Sequence, residues 1–227
     1  MTAFTAFPKI PRLSREIIVT EKIDGTNASV LITDDFGPND EGTVVDSLVV
    51  RAGSRTRWIT PEDDNFGFAK WVQQNAEELV KLGPGHHFVE WWGVGIQRGY
   101  DLSERRFSLF NTLRWGKGNL PVCCDIVPVL YRGLFDTNLI EVELLKLGLE
   151  GSRAAPGFMK PEGVVVFHTA GNLLFKKTCE HDEEPKNAHQ KKERAPQEKK
   201  PKNPNIGGRR VGQFNFIGPE KRECNHE

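Results

Sequence analysis

From residue 16 to about residue 178 the chain alternates short apolar runs, rich in β-branched and aromatic side chains, with glycine-punctuated polar breaks. These runs predict strands over 17–22, 26–33, 44–51, 87–92, 106–111, 126–131, 163–168 and 172–177. Phe68, Trp71, Val72, Ala76, Leu79 and Val80 instead recur at helical spacing, with Thr60-Pro61 as a start signal and Gly83 as a stop. A second helix is predicted over 138–147, where Leu139, Ile140, Leu144 and Leu145 share a face, Asp136 or Thr137 caps and Gly148 terminates. Strands outnumber helices and often follow one another through short turns. The expected class is therefore α+β, with mostly antiparallel sheets and flanking helices enclosing a pocket.

Beyond Thr178 this patterning collapses, and composition changes the picture there. The whole chain balances 31 Lys and Arg against 31 Asp and Glu, yet 186–210 carries nine basic residues and two acidic ones. A segment so polar cannot bury enough apolar surface to order alone, although VGQFNFIG at 211–218 is able to dock back. We expect a folded domain over 1–180 and a basic, disordered tail over 181–227. At 227 residues one substantial core is expected. No run is long and apolar enough to span a bilayer, and the first sixteen residues lack the apolar core and cleavage site of a signal peptide. A cytoplasmic protein without membrane contact is expected. Cys123, Cys124, Cys179 and Cys224 lack CxxC spacing and read as reduced bystanders. Cys179-x-His181 with Cys224-x-His226 makes a poor zinc quartet because the one-residue spacing is unusual. Gly93, Gly95 and Gly99 precede no helix, so they shape a loop rather than a dinucleotide fingerprint.

Candidate chemistry concentrates at Glu21-Lys22-Ile23-Asp24-Gly25-Thr26-Asn27, where a lysine ends one predicted strand and Asp-Gly opens the next. Turn chemistry alone accounts for an isolated Asp-Gly. The later strands, however, carry in order an arginine, a glutamate, an aromatic residue, a second glutamate and a lysine pair. A free lysine, with a pKa of about 10.4, is neutral in roughly one molecule in a thousand near neutral pH. A nucleophilic Lys22 therefore needs partial burial, a neighbouring cation such as Lys176 or Lys177, or a divalent metal to favour its amine.

Taken together these segments resemble the covalent nucleotidyltransferase superfamily of DNA ligases, RNA ligases and capping enzymes, and most of all the RNA ligases that seal nicks in duplex RNA. The likeness rests on KIDGTN (22–27), SRTRWITPEDDNFGF (54–68), FVEWWGVGIQ (88–97), RFSLFN (106–111), EGVVVF (162–167) and FKKT (175–178), and covers about three quarters of the chain. It implies an ATP-dependent RNA ligase working in three steps through a lysyl-AMP at Lys22, an adenylylated 5′-phosphate end and attack by a 3′-hydroxyl. By the same likeness, Asn27 and Arg55 contact the RNA 5′-phosphate, with Arg51 and Arg57 as rivals. Glu90 binds ribose hydroxyls, Phe110 stacks on adenine while Phe107 is core, and Glu21 lies at the nucleotide. Glu162 positions Mg²⁺ or Mn²⁺, and Lys176 and Lys177 meet the α-phosphate. The adjacent lysines depart from the family, which separates them by one residue. In a strand they point to opposite sides, which favours Lys176.

The resemblance makes RNA ends the partner, with an end-healing enzyme as a candidate second one. The roughly fifty residues after the last motif are too few for a folded OB domain, so the basic tail is expected to substitute by tracking phosphates. A nucleotidyltransferase acting on DNA nicks or another acceptor is the alternative. A silent RNA-end-binding protein is discounted because Lys22 and the glutamates are present.

Overall fold

Residues 2–37, 41–180 and 182 are described by the structure, a computed structural model, and all lie within one unit, Met1–Glu184. The unbroken apolar triplet Ile17-Ile18-Val19 makes β1 (Glu16–Lys22) a strand buried on both faces. It sits inside a four-stranded antiparallel sheet of order β11-β10-β1-β9, built with β9 (Val129–Leu134), β10 (Gly163–His168) and β11 (Leu173–Thr178). One face carries Ile17, Val19, Val164 and Val166 against Leu147, Leu144 and Ile140 of helix α3 (Thr137–Glu150). At about 1.5–3 kcal/mol for each large apolar side chain buried, these residues are enough to hold the helix down.

The larger sheet runs β3 (Thr43–Val45), β4 (Leu48–Ser54), β2 (Thr26–Thr33), β6 (Gly85–Gly93), β7 (Arg105–Leu109) and β8 (Asp125–Ile126), with β5 (Trp58–Ile59) paired to β4. All its pairings are antiparallel except β7 with β8. Ala28, Val30, Ile32, Val89, Trp91 and Phe107 line the face covered by α1 (Phe68–Gln74) and α2 (Ala76–Leu79). A third cluster, Ile23, Trp92, Tyr100, Val127 and Ala155, joins the two sheets.

The α+β class with mostly antiparallel sheets is thus observed, with informative departures. The run predicted over 44–51 is a hairpin, because Asp46 and Ser47 both take positive φ (50° and 72°) and turn β3 into β4. The run predicted over 126–131 divides between sheets: Pro128 follows β8, and the chain re-enters as β9 beside β1. The first helix begins not at Thr60-Pro61 but after Gly67, where the Asp64 carboxylate accepts from Ala69 N (2.8 Å) and Lys70 N (3.1 Å). Asn75 breaks it, its side-chain amide donating to Trp71 O at 2.8 Å. Helix α3 keeps Asp136 as cap, passes Gly148, ends at Gly151 (φ 84°) and leaves Leu145 exposed. Expectations for the basic tail, and for His181, Cys224 and His226, lie outside the described residues.

Candidate active site

Lys22 ends β1 opposite Gly163. The Asp24-Gly25 turn that follows is no hairpin, because β1 and β2 belong to different sheets and the turn carries the chain between them. Gly25 is required by close approach: a Cβ there would lie 2.6 Å from Trp91 O and 2.7 Å from Trp92 Cβ. Asp24 is fixed from the glycine-rich loop, its N–H donating to Tyr100 Oη at 2.7 Å and its carboxylate accepting from Arg98 Nε at 3.1 Å. Arg98 also donates to Lys160 O (2.8 Å) and Pro161 O (3.4 Å), the residues leading into Glu162. Sequence reasoning missed Arg98 and Tyr100. The traceable signal was the glycine cluster, since Gly93, Gly95 and Gly99 all take positive φ around them.

Glu162 enters β10 buried at 3% exposure, and Lys22 Nζ donates to its Oε2 at 2.5 Å across 140 residues of chain. The neighbour of Lys22 is therefore a carboxylate; a neighbouring lysine was one of three expected aids, beside partial burial and a divalent metal. Register separates the two candidate lysines. Thr20, Val165 and Lys176 form one cross-strand row and share the Lys22 face, whereas Glu21, Val164 and Lys177 form the next row and face α3. There Lys177 Nζ donates to Glu141 Oε1 of the helix. Glu21, expected beside the nucleotide, sends its buried carboxylate to Ser152 Oγ (2.5 Å), Arg153 N (2.7 Å) and Ala154 N (2.9 Å). Burial raises its pKa against the pull of those donors.

On the larger sheet Glu90 is 6% exposed and accepts from Gly25 N (3.0 Å) and Asn27 Nδ2 (3.2 Å). Burial pushes its carboxyl up to about 7; Asn27, Lys22 and the Gly25 N–H pull it down, and the Glu162 charge adds to the rise. Lys22, Glu162 and Glu90 thus share one electrostatic neighbourhood across the junction of the sheets. Phe110 follows β7 on the Glu90 side and is 39% exposed, whereas Phe107 is buried against Phe68 and Trp71.

Arg55 lies at the β4–β5 turn in a cavity of about 250 Å³ lined also by Thr26, Ser54, Thr56, Arg57 and Asn65. Arg57 is tied to Asp63 by two bonds of 2.5 and 2.9 Å. Asn27 alternates with Thr26 along β2 and turns to Glu90, and among the described residues no hydrogen bond joins it to Arg55. No cluster of three or more His, Cys, Asp or Glu able to hold a metal occurs among the described residues. Of the neighbouring histidines, His87 is buried with Nε2 2.9 Å from Gly83 O, and His86 is exposed. No helix among the described residues is long and apolar enough to cross a membrane.

Two mostly antiparallel sheets thus bring a lysine and two buried glutamates together at their junction. The RNA ligase family profile matches residues 15–180, and the chain belongs to the RNA ligase family. Among solved structures it is similar to Naegleria gruberi RNA ligase. A glutamate-to-alanine mutant with AMP and Mn superposes with a TM-score of 0.53 at 19% identity, over 79% of this chain and 52% of that one. A lysine-to-alanine mutant with ATP and Mn gives 0.52 at 19% identity, over 79% and 52%. An apo aspartate-to-alanine mutant gives 0.51 at 20% identity, over 80% and 52%. The chain thus spans about half the length of these structures. No curated protein matches it.

Proposed function

We propose that this chain is an ATP-dependent RNA ligase that joins 5′-phosphate and 3′-hydroxyl ends, with residues 1–180 forming its adenylylation domain. The observation that carries the reading is the Lys22 Nζ to Glu162 Oε2 contact of 2.5 Å, placed beside buried Glu90. Family membership and the likeness to Naegleria gruberi RNA ligase, some of whose structures hold ATP or AMP with Mn, support it.

Lys22 Nζ, held and oriented by Glu162 Oε2, attacks the α-phosphorus of ATP once its ammonium has passed a proton to water. An N–P bond forms, the bond to the bridging oxygen breaks and pyrophosphate leaves. An oxygen of the RNA 5′-phosphate then attacks the same phosphorus, breaks the N–P bond and frees Lys22. Finally the 3′-hydroxyl attacks the 5′-phosphorus, and AMP departs with the electron pair. Glu90, as carboxylate, accepts from the ribose hydroxyls, and Phe110 offers its exposed face to adenine. Lys176 approaches the α-phosphate from the Lys22 face, and Arg55 holds the 5′-phosphate in its cavity.

A divalent cation fits this donor set, because Mg²⁺ takes one or two carboxylates and completes its shell with phosphate oxygens and water. Glu162 would hold it. Mg²⁺ or Mn²⁺ bound there supplies positive charge opposite the phosphate oxygens.

The test is label transfer from α-labelled ATP, with GTP in parallel, to purified chain with Mg²⁺ or Mn²⁺. A covalent band from ATP that survives denaturation is expected. Lys22→Ala should reduce it by at least about a thousandfold. No band from a folded, de-adenylylated preparation sinks the reading. A band from GTP alone, or sealing of nicked DNA in preference to nicked RNA, replaces RNA ligation by another nucleotidyl transfer.

A further inference from the structure

The face of the larger sheet that turns away from α1 and α2 carries Asn27, Ser29 and Leu31 of β2, Arg51 and Gly53 of β4, and His86, Phe88 and Glu90 of β6 in facing register. Its Glu90 end meets the β1–β2 turn through the Gly25 N–H and feels the charges of Lys22 and Glu162. Farther along, the pattern is unlike an ordinary solvated strand. His87 and Val89 are buried on the helix side, while Phe88 between them stands 57% exposed. Trp58 of β5, 40% exposed, packs over Gly53, where a Cβ would come within 3.2 Å of its ring.

These rings are in mutual contact. Trp58 and His86 have centroids 5.6 Å apart, His86 and Phe88 4.3 Å apart, and the Arg51 guanidinium lies 4.7 Å from the Trp58 centroid. Phe110 continues the row, its N–H donating to Phe88 O at 3.1 Å. Scattered single apolar residues on a surface need no explanation, but a contiguous aromatic row laced with arginine does. Charge complementarity indicates the occupant: among the strand positions of this face named above, Glu90 is the single carboxylate, and it belongs to the catalytic end. Open sheet faces bearing aromatic and guanidinium planes suit unpaired bases, which stack on them regardless of sequence. A duplex, whose bases are already stacked, gains nothing from them.

We propose that this face is a platform for single-stranded RNA, with unpaired bases stacking on Phe88, His86, Trp58 and the Arg51 plane while the strand runs away from the active site. The identity of the polymer rests on the ligase reading. On that reading the acceptor is an open strand or loop, since the platform rewards unpaired nucleotides.

The experiment is fluorescence anisotropy of the full chain with labelled single-stranded oligouridylate and with an abasic strand of equal phosphate number. Wild type should bind the base-bearing strand roughly tenfold more tightly, and Trp58→Leu and Phe88→Leu should each erase most of that preference. Trp58→Phe and Phe88→Tyr should retain it, which separates stacking from loss of fold, with melting temperature as the control. Equal binding of the two strands by wild type overturns the platform and needs no variant. So does a preference that survives in well-folded Trp58→Leu and Phe88→Leu, because the bases then stack elsewhere or another partner covers this face. Label transfer from ATP to the same wild-type preparation keeps the two readings apart. Its absence alongside base-dependent binding overturns the ligase and leaves the platform standing.

Discussion

The two sheets divide the labour of the molecule differently. In the smaller one the central strand β1 is covered on both faces while the edge strand β11 is exposed, and each position is committed by register: Lys22 and Lys176 to one face, Glu21 and Lys177 to the other. In the larger one a single face is sealed by helices, and among the described residues the opposite face buries Glu90, Ser29 and Gly53 but leaves Phe88 and Trp58 exposed. A strand buried on both sides holds Lys22 in a fixed place, and a sheet sealed on one side leaves the other for the platform proposed above.

This division can be broken experimentally. The largest effect should fall on the two lysines of β11. Lys176→Ala should slow labelling of Lys22 about a hundredfold, as expected for loss of a charge aimed at a phosphate, while Lys177→Ala changes it less than about threefold. Equal losses in a quenched-flow assay would undo the assignment of faces. Glu21→Ala should lower stability by about 3 kcal/mol in urea denaturation, because three donors from the 152–154 loop lose their acceptor. A stable protein with poor ATP affinity would instead return Glu21 to the nucleotide.

A smaller effect is expected at the junction. Arg98→Ala should slow labelling about tenfold with the KM for ATP little changed, since Arg98 positions Asp24 and the approach to Glu162 without touching substrate. A raised KM at unchanged turnover would contradict that role. The last concerns Glu90, whose pKa is raised in the fold to about 7. Its stabilising contribution is complete below the unfolded carboxyl pKa and is lost as pH rises through about 7. Between about pH 5 and about pH 8, wild type should therefore lose roughly 5–10 °C more in melting temperature than Glu90→Gln. Parallel pH profiles would refute the shift.

Much of this arrangement was legible from the residues. β2 and β10 have the predicted boundaries, and Lys22, Glu90 and Glu162 stand in motifs whose spacing along the chain survives folding. Local chemistry could not say which sheet a strand joins. Asp24-Gly25 and Val127-Pro128 each read as a turn or a continuing run, and each proves to be a crossing between sheets. The place of Lys177 was missed for a related reason: alternation shows that Lys176 and Lys177 diverge, but only the folded sheet shows that Lys177 meets Glu141. Arg98 escaped because its partners, Asp24 and the carbonyls of Lys160 and Pro161, are distant in sequence and two of them are backbone atoms. Asp46-Ser47 hid a hairpin because neither residue is the glycine that usually marks one.

The 140 residues between Lys22 and Glu162 also set an order in time. At ribosomal rates of roughly 5–20 residues per second, the lysine emerges on the order of ten seconds before the carboxylate that orients it. Lys176 follows later still, with β11. A nascent or stalled chain that stops short of Pro161 therefore carries Lys22 without the carboxylate it pairs with. The pair forms only when β10 comes in beside β1, so on the proposed function adenylylation waits for synthesis to near the end of the domain.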